Sequence, residues 1–461
     1  MSQLVTARSL VAVLASLCLG ASSLAGQTGR ADRQVLDSLA ESGILENRAV
    51  GLVAAVVKGN DTLLFEGYGK ADVEWDVPMP ADAMFEIGSI AKQFTAAAIL
   101  QLRDAGKLSL DDDITRWLPD FNTAGHKLPL RRLLDHTSGI VGLTEIPEFR
   151  LLVMNPVFPR DSGYALINRQ SFQFAPGEAQ IYNNSAFWLL GLVIEKASGM
   201  TYEDYVEKNI FAPLGMTRST YCNSNENVPR RAHGYGVRDG VIRRAPQNVH
   251  TWPFAAGSIC STAGDLVTWL KALHGGKVLS PASYAEMITP STLNDGTPLR
   301  YSMGLQVTED SRGLKYIGHG GSISGFSAEA TWYPDAEMAV VVLTNTTGNL
   351  DPGAVAGELA AEVLPWERPK FGQYTGDPAL IVGKYQGPSR GRDMVIDVTQ
   401  TPTGVAFSAN GSPPRALPWV EGLTFRQGSA ILTFRRADGD TGPVTELRFN
   451  SPGGYYILKK Q

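Results

Sequence analysis

The chain is short of cysteine, clustered histidine, net charge and long apolar runs, and each shortage closes a class of function. It has three cysteines, Cys18, Cys222 and Cys260. Cys18 falls in an N-terminal stretch expected to be removed, which leaves Cys222 and Cys260 as either one disulfide or two buried thiols. The six histidines (126, 136, 233, 250, 274 and 319) form no His-x-x-x-His or Cys/His cluster, so no metal site is expected. Forty-one basic residues face 46 acidic ones for a net charge of −5. The pairs Arg131-Arg132 and Arg230-Arg231 stand alone as solvated surface, so nucleic acid is excluded as a partner. The longest apolar run near the start, residues 10–19, is too short to span a bilayer.

That run has the form of an export signal. Arg8 precedes it, and small residues ending Ser23-Leu24-Ala25 follow it. Residues 1–25 are therefore read as a signal peptide and the mature chain as starting near Gly26. The product is expected to be periplasmic or secreted, with no stable membrane anchor.

The remaining composition, 43% hydrophobic and 19% charged, is that of a large globular protein with more than one domain. Apolar runs at 51–57 and 62–68, split by Lys58-Gly59-Asn60-Asp61, read as a hairpin. Helical periodicity follows at 89–105, 185–198, 202–211 and 265–273, and strand character returns at 304–307, 314–317, 328–333 and 338–344. Strands near both ends with helices between them predict an α+β fold, an antiparallel sheet flanked by helices with a helical subdomain. Residues 367–378 read as a linker closing a domain of 26–366. Beyond it, 379–461 holds short alternating segments separated by turns, which predicts a small all-β, barrel-like domain.

Three stretches carry chemistry. Ser89 and Lys92 form the only Ser-x-x-Lys of the chain, where a long helix begins. Residues three apart share a helix face, so the amine can reach the hydroxyl and help remove its proton. Alone, the pair is equally a helix-starting serine with a solvated lysine. Tyr182-Asn183-Asn184 precedes another helix: flanking ammonium groups lower a phenol's pKa and make it a usable base, and Asn184 offers an amide to Lys92 or substrate. As a purely structural element it is a core tyrosine with a capping asparagine. Gly318-His319-Gly320-Gly321-Ser322 lies just before a strand. Its glycines let a substrate backbone approach, and His319 offers a polar or cationic side chain at the cleft edge; without function it is a glycine turn.

In this order the three motifs resemble those of the serine hydrolase family that includes class C β-lactamases, D-Ala-D-Ala carboxypeptidases, D-aminopeptidases and related esterases. The resemblance covers roughly 50–345, including Leu133-Leu-Asp-His-Thr-Ser-Gly139 and Ala256-Gly-Ser-Ile-Cys-Ser-Thr-Ala-Gly-Asp265. It implies a β-lactamase/transpeptidase-like fold with Ser89 as acylated nucleophile, Lys92 as its partner and Tyr182 as general base. Asn184 is implied to orient substrate, His319 and Gly321 to form the third motif, and the N–H groups of Ser89 and Ser322 to form the oxyanion hole. It implies neither metal nor organic cofactor, and a small-molecule or short-peptide substrate: an ester or a D-amino-acid amide or peptide. A β-lactamase and a weakly active penicillin-binding or scaffold protein are the alternatives. Where β-lactamases carry lysine this chain has His319, which favours the peptidase and esterase branches. Gly387-Pro-Ser389-Arg-Gly391 matches a nucleophile-elbow pattern, but strand-like alternation follows where a helix is required, so it is read as a chance turn.

Overall fold

The computed structural model describes residues 32–149, 159–223, 226–402, 404–439 and 441–461. The expected signal peptide lies outside these residues. Among them, no helix is long and apolar enough to cross a membrane.

The organising element is an antiparallel sheet of seven strands. In spatial order they are Gln306–Glu309, Lys315–Ile323, Phe326–Tyr333, Met338–Thr344, Gly51–Lys58, Asp61–Asp72 and Val77–Pro78. The expected hairpin is there, turning at Gly59-Asn60, and strands far apart in sequence meet where Gly51–Lys58 pairs with Met338–Thr344. Successive side chains of a strand face opposite ways, and here both faces are covered. Leu52, Ala54 and Val56 pack with Leu36 of helix Arg33–Leu45 and Leu359 of helix Pro352–Val363. Val53 and Ala55 enter the larger core with Phe94, Phe187 and Trp269, from helices Ala91–Asp104, Asn184–Ser198 and Ala263–His274.

The structure departs from the sequence reading in two places that matter. Residues 318–323 are not a turn before a strand: they are part of strand Lys315–Ile323, and the chain turns afterwards, at Ser324-Gly325. The middle of the chain also holds strands too short to show a period of two. These are the hairpin Tyr235–Arg238 with Val241–Arg244, and a sheet of Phe85–Glu86, Ile259–Ser261 and Thr220–Tyr221. Beside the latter, Cys222 and Cys260 are joined in a disulfide with a Cα–Cα distance of 5.1 Å.

Residues 367–377 carry neither helix nor regular strand. After them a curled, wholly antiparallel sheet runs from Gly383–Pro388 to Gly454–Lys460 around its own core of Tyr385, Ile396, Phe425, Phe434, Leu447 and Leu458. It is a barrel-like unit, but it does not stand apart. Its last strand pairs with Gln180–Ile181, so the segment leading directly into Tyr182 is hydrogen-bonded to the barrel.

Candidate active site

Ser89 sits in a 3-10 turn, Gly88–Ile90, that feeds straight into helix Ala91–Asp104. Gly88 has φ +52°, and a Cβ there would lie 2.8 Å from the backbone nitrogen of Ser322. A Cβ on Gly321 would lie 1.9 Å from the Ile87 carbonyl oxygen and 3.3 Å from the Ser89 nitrogen. Only glycine permits this approach, which brings strand Lys315–Ile323 against the serine turn.

One helical turn on, Lys92 is wholly buried. Its Nζ contacts Asn184 Oδ1 at 2.8 Å, the Ala256 carbonyl at 2.8 Å and Ser89 Oγ at 3.0 Å. Burial, reinforced by the charge of Arg390, holds the Lys92 pKa well below that of a free lysine. A neutral amine has two hydrogens and one lone pair. In the neutral form that burial favours, Asn184 and Ala256 can accept its two hydrogens, which leaves the lone pair for the Ser89 hydroxyl.

Tyr182 follows strand Gln180–Ile181, and Asn183 caps the next helix by accepting from the Ala186 N–H at 2.9 Å. The phenol is enclosed. Its ring centroid is 4.9 Å from Lys92 Nζ, 5.1 Å from Arg390 Cζ and 4.3 Å from the His136 ring centroid. Two cations stand beside the ring, yet the pKa moves up and not down. Burial pushes it up, and neither nearby Ser89 nor Arg390 offsets that. The Tyr182 hydroxyl lacks a partner in hydrogen-bonding geometry among the described residues, although Ser89 is close enough to act on its pKa. Burial thus favours the neutral phenol, and the expectation that flanking ammonium groups lower its pKa is corrected.

His319 is corrected in the same sense. It is 3% exposed, so it does not stand at the cleft edge, and burial together with the charge of Lys92 lowers its pKa to about 3. Its neighbours fix its tautomer. The Asn183 N–H donates to His136 Nδ1 at 3.1 Å, which leaves His136 Nε2 to donate to Tyr301 Oη at 3.1 Å. Tyr301 then donates to His319 Nε2 at 3.1 Å, and His319 Nδ1 donates to the Gly320 carbonyl at 2.5 Å. The chain of bonds is saturated with both imidazoles neutral, and it ties the Tyr182 loop to the third-motif strand.

All seven expected residues (Ser89, Lys92, Tyr182, Asn184, His319, Gly321 and Ser322) therefore meet in one place. Beside Ser89 lies a cavity of about 40 Å³ lined by Leu143, Trp188, Trp252, Pro253, Ile323 and their neighbours. Among the described residues its walls carry no charged side chain.

Three participants escaped the sequence reading. His136 lies in the matched stretch 133–139 but has no role assigned there; its φ of +64° marks a bend. Tyr301 has no motif around it. Arg390 belongs to the stretch set aside as a chance turn, and its geometry agrees with that reading as far as Ser389 goes. Ser389 donates from N and Oγ to the Arg392 carbonyl, at 3.2 and 2.7 Å, within a strand–turn–strand hairpin and without a following helix.

Elsewhere, Asp72, Glu74 and His233 are close enough together to suggest metal ligands. His233 Nδ1 lies 2.8 Å from Asp72, and Glu74 accepts from Tyr235 at 2.6 Å with Arg244 beside it, so Glu74 already has partners of its own.

Comparison with known proteins matches residues 32–364 to the Beta-lactamase family. The chain is 29% identical over 337 residues to penicillin-binding protein 4* of Bacillus subtilis (strain 168), spanning 68% of this chain and 72% of that one. It is 27% identical over 403 residues to a D-aminopeptidase of Cereibacter sphaeroides (strain ATCC 17023), spanning 86% and 75%. The crystal structure of a D-stereospecific amidohydrolase from Streptomyces sp. superposes with a TM-score of 0.62 at 28% identity, over 72% of this chain and 99% of that one.

Proposed function

Because the chain belongs to the Beta-lactamase family and is a serine hydrolase, we propose that it cleaves a small ester or a D-amino-acid amide or peptide through an acyl-enzyme on Ser89. The observation that carries this reading is the environment of Lys92. A wholly buried amine lies 3.0 Å from Ser89 Oγ, with Asn184 Oδ1 and the Ala256 carbonyl at 2.8 Å to take its hydrogens once it is neutral.

In the proposed sequence, Lys92 Nζ takes the Ser89 proton as Oγ attacks the carbonyl carbon. The N–H groups of Ser89 and Ser322 receive the oxyanion, each such donor being worth about 3–4 kcal/mol in the transition state. The neutral Tyr182 hydroxyl gives its proton to the departing oxygen or nitrogen, and the Lys92 ammonium reprotonates it. Water, deprotonated by the restored amine, then attacks the ester carbonyl, and Ser89 leaves with the proton back on Oγ. Tyr182 is thus the acid of the first half-reaction and Lys92 the base. The apolar walls beside Ser89 favour an apolar acyl group.

Two further parts of the reading rest on other observations. Export is supported by the N-terminal pattern and by the Cys222–Cys260 disulfide, a bond that persists in oxidising compartments. A division into a hydrolase unit of 26–366 and a barrel of 379–461, joined through 367–378, is supported by their separate cores.

The test is covalent labelling followed by a substrate panel. A fluorophosphonate should label the pure protein once, at Ser89 by peptide mapping. Short p-nitrophenyl esters or D-amino-acid p-nitroanilides should then be hydrolysed. Nitrocefin turnover near 10⁶ M⁻¹s⁻¹, within the usual range of efficient enzymes, with negligible ester and anilide cleavage, would overturn the reading in favour of a β-lactamase.

A further inference from the structure

Ser89, Lys92, Asn184 and the strand holding His319 all come from the region 32–364, but one side chain at the site does not. Arg390 stands on the turn between barrel strands Gly383–Pro388 and Asp393–Thr401. Both donations from Ser389 to the Arg392 carbonyl lock that turn. Gly391, at φ +72°, packs so closely that a Cβ there would lie 3.1 Å from Glu145 Cγ. The arginine is held in turn. Its Nε donates to Glu145 Oε1 at 3.1 Å, its Nη2 donates to Thr144 Oγ1 at 3.4 Å, and its guanidinium lies over the Tyr182 ring. Thr144 Oγ1 also accepts from Asn184 Nδ2 at 3.5 Å, which places Arg390 two hydrogen bonds from the amide that holds Lys92.

An arginine has five N–H donors in a planar fork. Glu145 and Thr144 use two of them, and among the described residues nothing accepts from Nη1. The free Nη edge is the one suited to two parallel hydrogen bonds with a carboxylate. The side chain is 45% exposed, whereas Glu145 beneath it is 8% exposed, so the cation and not the acid faces outward. Position decides which end of a substrate it meets. The cavity of Leu143, Trp188 and Trp252 lies beside Ser89, and Arg390 is not among the residues that line it. Arg390 lies over Tyr182, the proposed proton donor to the leaving group.

We infer that the barrel turn 389–392 supplies a carboxylate-recognition subsite, in which Arg390 binds a carboxylate on the leaving-group side of the scissile bond. The preferred substrate is then an acyl amino acid or short peptide whose departing residue has a free C-terminus. This rests on the assignment of Ser89 and Tyr182 above, and it gives a role to a motif that makes no sense as a nucleophile elbow.

The test compares N-acetyl-D-alanyl-D-alanine with its C-terminal carboxamide, with p-nitrophenyl acetate as a reference for the serine chemistry. The wild-type enzyme should favour the acid over the carboxamide by roughly ten- to a hundredfold in kcat/KM, the scale of one charge-assisted pair. Arg390→Gln should bring that ratio close to one, mainly by raising KM for the acid. Arg390→Lys should keep part of the preference, and Arg390→Glu should reverse it. Where the peptides are bound without turnover, the same ratios are read as inhibition constants against p-nitrophenyl acetate. An acid-to-carboxamide ratio unchanged in Arg390→Gln overturns the inference. So does a loss that falls equally on acid, carboxamide and ester, because that marks a structural role. Failure of Ser89 labelling and of ester hydrolysis in the wild type would instead overturn the proposed function itself.

Discussion

The two cations nearest Tyr182 are built in opposite ways. Lys92 is wholly buried in the first turn of a core helix, three bonds deep in partners, and burial depletes its charge. Arg390 is half exposed on a turn of another sheet, keeps a free edge, and reaches the site across some 300 residues of sequence. A base needs a lone pair, so burial serves Lys92. Recognition of an anion needs a lasting charge, so partial exposure serves Arg390. The contrast also concerns encoding, because one group is placed by local helix geometry and the other by the docking of two sheets.

The sharpest way to break the comparison is to remove the nucleophile on the helix and the serine on the turn in parallel. Ser89→Ala should lower kcat/KM for p-nitrophenyl acetate by roughly 10⁴-fold or more, while Ser389→Ala should change it less than about twofold, the scale of an exposed substitution outside the chemistry. Circular dichroism should show both variants folded. A mass label that moves to Ser389 would end the reading.

Next comes the base. Lys92→Met should lower kcat/KM by roughly 10³-fold, within the range for a positioned proton-transfer group. It should also raise the melting temperature. The native Lys92 pKa lies below that of an unfolded lysine, so over the interval between the two the unfolded chain binds a proton that the native chain refuses. Stability therefore grows as pH rises through that interval, and the methionine variant should lose this slope. For the wild type, kcat/KM should fall on the acid side as Lys92 protonates. A variant that is both inactive and less stable, with the slope intact, would contradict a buried neutral amine.

A third experiment separates the two sheets. Cleavage within 367–378 by limited proteolysis, with both fragments retained, should leave ester hydrolysis nearly intact. A chain ending at Glu367 should lose it by roughly 10²-fold, the cost expected when a catalytic group is misplaced by about an ångström. Strand Gly454–Lys460 holds Gln180–Ile181, and Ile181 is buried in the barrel core. Full activity of the truncated chain would mean that the barrel does not position Tyr182.

These experiments probe parts that were unequally legible in the sequence. The hairpin 51–68, the strand Met338–Thr344 and the helix after Ser89 could be read because periodicity and turn residues are local signals. Ser89, Lys92, Tyr182 and Asn184 could be read because they belong to motifs in the order of a family that the chain resembles, and the fold brings them together. Charge state could not. It depends on burial, and burial turned the expected basic phenol into a neutral one and the expected edge histidine into an enclosed one. Strands of two to four residues, such as Thr220–Tyr221, were too short to show a period. Tyr301 and Arg390 could not be found locally, since each acts only through partners far away in sequence.

The smallest effect expected is also the one that isolates Tyr301. Its hydroxyl accepts from His136 and donates to His319, the single link between the Tyr182 loop and strand Lys315–Ile323 in that chain of bonds. Tyr301→Phe keeps the ring and deletes the link, leaving His136 Nε2–H and His319 Nε2 buried without it. An unmet buried polar group costs about 1–3 kcal/mol, so a fall of several degrees in melting temperature is expected. Tyr301 touches neither Ser89 nor Lys92 by any described hydrogen bond, and its effect on turnover should be indirect: roughly tenfold in kcat, about 1.4 kcal/mol, with KM for p-nitrophenyl acetate little changed. His319→Lys tests the same enclosure from the other side. A lysine placed against Tyr301 would bury a charge without a carboxylate partner, so the variant should be destabilised and should not gain nitrocefin turnover. A stable His319→Lys enzyme with enhanced nitrocefin hydrolysis would show that position 319 reaches the cleft after all, and the relay through Tyr301 would then be incidental.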